Sequence, residues 1–138
     1  METIKTYKSF TEHKSIEELQ YNILTDLTSI ENIKFELKFY KLLLEKPIFK
    51  SHVFNLYETL VRFKKEIKTL EENSQDLLNQ LNSHAKQLRV KMECEDMVCD
   101  NFFIKTHDAI KQKTFNFKTT VFNFKFRLFQ YVEGVIIN

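Results

Sequence analysis

The chain has 138 residues, 43% hydrophobic and 29% charged, with a formal net charge of +2. That is enough apolar material for one core, and the charge balance is too even to imply nucleic acid from the total alone. A single glycine, Gly134, and a single proline, Pro47, exclude dinucleotide fingerprints, phosphate-cradling loops and nucleophile elbows, which need glycine where the backbone takes positive φ or lies against a ligand.

The N-terminal residues Met1–Lys5 have no apolar stretch and predict no secretory leader. No apolar run approaches the ~18 residues that span a bilayer. Two cysteines, Cys94 and Cys99, do not make a disulfide framework, so a reducing, cytoplasmic setting is expected.

The first element follows Ile16, Ile23, Ile30, Leu37 and Leu44, spaced by sevens, with Leu19, Leu27, Ile33 and Tyr40 between them. This is an apolar seam at helical period. Two capping boxes mark its start, Ser9 with Glu12 and Ser15 with Glu18. Asp26 interrupts the seam, and a polar seam residue sets register at some cost in stability. Lys68 and Arg62 are its expected partners. Pro47 ends the helix and suits the first turn of the next one.

The second ladder runs through Val53, Leu60, Ile67, Ser74, Leu81 and Leu88, with Leu56, Phe63, Leu70, Leu77 and His84 completing the seam. The third runs through Phe103, Ile110, Phe117, Phe124 and Tyr131, with His107, Val121, Leu128 and Val135 between. Alternation around Phe115–Phe117 and Phe122–Phe126 makes a β-hairpin the competitor over 114–131, since Phe, Val and Thr favour strands. The absence of a Gly, Pro or Asn-Gly turn there favours helix. The fold class is therefore all-α: an antiparallel up-down bundle of three long helices with coiled-coil-like heptad packing. One domain over 1–138 holds helices near 12–46, 48–92 and 96–133.

A second apolar face accompanies these seams. On the third helix Phe115, Phe122, Phe126 and Phe129 fall about 120° to 180° from Phe117. On the first, Tyr21, Leu24, Phe35, Phe39 and Leu42 form a second stripe, and Phe54 and Val61 are assigned to the second helix. A wide core would absorb these residues. An exposed aromatic patch would mark a partner surface, and a two-fold dimer is the commonest closed assembly. The sequence therefore favours a non-catalytic interaction or regulatory module. Its expected form is a homodimer through Phe35, Phe39, Leu42, Phe54, Phe115, Phe122, Phe126 and Phe129.

Only one constellation suggests chemistry. Cys94 and Cys99 sit in the acidic turn between the second and third helices, and His84 and His107 occupy ladder positions at similar height above it. Histidines at one level of a bundle are how core metal sites are built, so an ion-binding bundle using His84, His107, Cys94 and Cys99 is the first alternative. The spacing lacks Glu-x-x-His, His-x-x-x-His and Cys-x-x-Cys, and core histidines bonded to each other, to polar neighbours or to water are the stronger reading. No cofactor other than such an ion is implied.

A further alternative uses the third helix to bind nucleic acid or a membrane surface. Residues 101–131 carry six basic residues, one acid and nine aromatics. Both partners are disfavoured, because the core needs most of those rings. No spacing places a nucleophile beside a base, so no enzymatic activity is expected.

Overall fold

The computed structural model describes residues 15–91 and 97–138, with side chains for 15, 17–90 and 102–138. The described residues form three helices: α1 (Ile16–Leu43), α2 (Leu56–Lys91) and α3 (Met97–Val135). Among the described residues the only β pairing is one isolated bridge, and 114–131 lies wholly within α3.

Ser15 caps α1: its hydroxyl accepts from the Glu18 amide at 3.2 Å, so the Ser15–Glu18 box is the one used. Ser9 lies outside the described residues.

The helices alternate in direction. Lys34 of α1 meets Gln75 of α2 at 2.7 Å, and Lys113 of α3 meets Gln80 of α2 at 3.1 Å. α2 is the central element, packing against α1 most extensively and then against α3, while α1 and α3 approach each other chiefly through long side chains.

The heptad ladders form the core. Its lower half gathers Ile23 and Ile30 against Leu77, Leu81, Leu88 and Ile110. Its upper half gathers Leu37 and Leu44 against Ile67, Leu70, Phe124 and Leu128. Ile33 and Phe117 touch both halves and make them continuous.

The buried hydroxyls interrupting the seams are satisfied within their own helices. Ser74 donates to the Glu71 carbonyl at 2.7 Å and Thr114 to the Ile110 carbonyl at 2.9 Å. Such back-bonding removes the cost of burying a hydroxyl at a core position.

α2 begins at Leu56, not near residue 48 as the sequence predicts. Residues 44–55 instead form a connection lying along the end of α3. Lys50 donates its amide to the Val135 carbonyl at 2.8 Å, Ile137 donates to Ile48 at 2.8 Å, and Phe49 bridges Ile136. Pro47 therefore belongs to this connection and opens no helix.

Asn55 provides the actual start. Its φ of 55° is left-handed, a region asparagine tolerates better than most residues, and its carbonyl accepts the Thr59 amide at 3.1 Å. Pairing with the chain end satisfies backbone groups that a longer α2 would have satisfied internally. Phe54 accordingly lies on the connection and not on a helix.

Candidate functional site

The outer side of α1 is apolar although its inner side already supplies the core. Tyr21, Leu24, Phe35, Phe39 and Leu42 are all exposed, Tyr21 and Phe35 at 71%. At 100° per residue they fall within about 40° of Phe35, on the side opposite Ile23, Ile30 and Leu37.

α3 continues this surface. Phe122 and Phe129 are exposed, while Phe115 and Phe126 are half-buried. The two helices meet through rings: Tyr40 lies edge-on to Phe39 at 6.1 Å and to Phe129 at 5.5 Å between centroids. Of the eight residues predicted for an interface, Phe35, Phe39 and Leu42 are exposed on α1 and Phe122 and Phe129 on α3, while Phe35 also lines a hollow shared with Glu71 of α2. Phe54, also exposed, stands on the connection.

Ion pairs hold the α1–α3 junction under the rings. Lys125 donates to Glu36 at 2.9 Å, and the same carboxylate accepts from the Tyr40 hydroxyl at 3.2 Å. Burial, followed by the charge and hydrogen bond of Glu36, pushes the Tyr40 pKa up to about 12.

Lower down, the buried Asp26 carboxylate accepts from Lys111 at 2.8 Å and from Lys118 at 3.4 Å. Its partners are thus on α3, and the expectation of Lys68 or Arg62 is corrected. The antiparallel register is the reason: with Lys34 level with Gln75, α2 passes Asp26 several turns below Lys68. Lys111, Lys118 and Lys125, spaced by sevens along α3, bridge that helix to α1. Arg127 adds a two-pronged contact to Glu66 of α2.

His84 and His107 do meet, as their ladder positions imply. His84 Nε2 and His107 Nδ1 are 3.2 Å apart, both rings are buried and their planes are tilted by 45°. Burial lowers the His84 pKa below its ordinary value, with a smaller opposing effect from Gln87. A tetrahedral zinc at ~2.0–2.1 Å from each of two nitrogens holds them about 3.3 Å apart, so the 3.2 Å spacing does not by itself distinguish a direct hydrogen bond from a shared ion.

Among the described residues no group of three or more His, Cys, Asp or Glu side chains is arranged to hold a metal. Cys94 lies outside the described residues, as does the side chain of Cys99. No described helix is long and apolar enough to cross a membrane.

No protein-family model, curated protein or solved structure matches this chain. The aromatic face, the Asp26–lysine bridge and the histidine pair are therefore read on their own chemistry.

Proposed function

We propose that this protein is a non-catalytic interaction module that self-associates through the aromatic face of α1 and α3. One observation carries this reading: α1 presents five large apolar side chains outward while its opposite side fills the core. Large apolar side chains repeated along one exposed helix face are unusual for a monomer and mark a partner surface.

The area suits a second copy. Aromatic side chains each bring ~150–250 Å² of surface. The exposed fractions of Tyr21, Leu24, Phe35, Phe39, Leu42, Phe122 and Phe129 add up to roughly 700 Å² on that scale, close to the ~800 Å² per partner of a standard interface.

The other readings draw less support. Lys111, Lys118, Lys125 and Arg127 are engaged with carboxylates, which diminishes the cationic surface α3 offers to phosphate. The histidine pair spends one nitrogen of each ring on the other.

Sedimentation across micromolar concentrations tests the proposal. The wild-type chain is expected to dimerise. Phe35→Ser, which removes two rings per dimer, should weaken association by at least tenfold, since burying one Phe is worth ~1.5–3 kcal/mol. A wild-type chain that stays monomeric throughout refutes self-association.

A further inference from the structure

We infer that two copies pair α1 against α1 in antiparallel fashion, about a two-fold axis passing close to Phe35. This rests on the self-association reading and adds to it a register and an orientation.

The first argument is the order of charges beside the apolar stripe. With Phe35 at zero, Glu31 lies at about −40° and Lys38 at about −60°, on the same flank and one on each side of Phe35 along the helix. Both are exposed. In an antiparallel two-fold pair each flank of a helix meets the same flank of its partner, with the sequence reversed. An axis near Phe35 then sets Glu31 of each copy level with Lys38 of the other, giving two opposite-charge pairs at the rim. A parallel pair would instead turn this flank toward the opposite flank of the partner, so Glu31 and Lys38 would not meet and the two rim pairs would be lost. Flanking charges of this kind choose orientation in helix pairs.

The second argument is shape. A hollow of about 240 Å³ opens on this flank, lined by Glu31, Lys34, Phe35, Lys38 and Glu71. The proposed axis brings the partner's ring to its mouth, where the aliphatic stems of Lys34 and Lys38 give it apolar contact. The patch thus carries both a protruding aromatic ring and a recess beside it, which is the self-complementarity a two-fold interface requires.

Charge reversal tests the register separately from the association. Glu31→Lys and Lys38→Glu each place like charges opposite one another twice per dimer, and each variant alone should self-associate at least tenfold more weakly than wild type. An equimolar mixture should recover wild-type affinity as a heterodimer, because both rim pairs are then again of opposite sign. Sedimentation with native mass spectrometry reads the stoichiometry, and thermal unfolding confirms that both variants fold.

If wild type dimerises but the mixture associates no more tightly than the separate variants, the antiparallel register is overturned and self-association stands. Unchanged association of either single variant overturns the register equally. A monomeric wild type removes both proposals.

Discussion

Burying an imidazole costs less when it is uncharged and has a hydrogen-bond partner. His84 and His107 supply each other with a hydrogen-bond partner, so neither ring leaves both its nitrogens stranded at the level of Ile110 and Leu88. The depressed His84 pKa follows from burial, and it has a consequence for stability. Below the unfolded value near ~6.5 the unfolded chain binds a proton that the folded chain resists. Stability from this group is therefore full above about pH 6.5 and falls as pH drops towards the lower folded value. The denaturant midpoint should decrease between pH 7.5 and 5, and His84→Leu should flatten that slope. A slope that persists unchanged in His84→Leu assigns the effect to other groups. Asp26 solves the same problem of a polar seam residue differently, pairing with two lysines whose side chains remain partly in water.

Helices that bury one face ordinarily carry polar residues on the other. α2 follows this rule, its outer side being largely Lys, Glu, Asn and Gln. α1 departs from it, and α3 does so over its C-terminal half. The contrast within α3 can be measured. Phe124 is fully buried beside Phe63, whereas Phe122, two residues earlier, is half exposed. Phe124→Ala should cost ~3–5 kcal/mol through the cavity it leaves. Phe122→Ala, assayed at concentrations low enough to keep the chain monomeric, should change stability by no more than ~0.5 kcal/mol. Equal losses in urea titrations would mean that α3 is turned differently about its axis. The 44–55 connection is the other departure at this scale: Ile48, Phe49 and Val53 carry an apolar pattern, yet Ile48 and Phe49 pair with residues 136–137 and none of the three forms an extra turn of α2.

At the scale of the whole molecule, an open arrangement in which α2 is central leaves the α1–α3 side to be closed by salt bridges and rings. A second copy seated there would bury that surface and link folding to assembly. Mass action then makes apparent stability depend on concentration. The thermal midpoint of the wild-type chain should rise as protein concentration is raised a hundredfold, and that of Phe35→Ser should rise less. A wild-type midpoint independent of concentration contradicts a folding-linked dimer.

Much of this architecture is written locally. Apolar residues every seventh position set three helices, put Phe124, Leu37 and Leu81 inside, and level His84 with His107, because helical period and rise follow from backbone geometry alone. Asn55 was also legible in principle as an asparagine ahead of a helical run, but Pro47 is the louder signal and fits the same role. Other features depend on which element passes which, at what height and angle, and no local pattern carries that. Only tertiary structure chose Lys111 and Lys118 for Asp26 and paired Ile48 and Lys50 with the chain end. It also decided that Phe35 and Phe39 face outward, because a residue outside the seam is covered or uncovered according to how closely α3 approaches α1. That approach is set by the bulk of side chains from all three helices together.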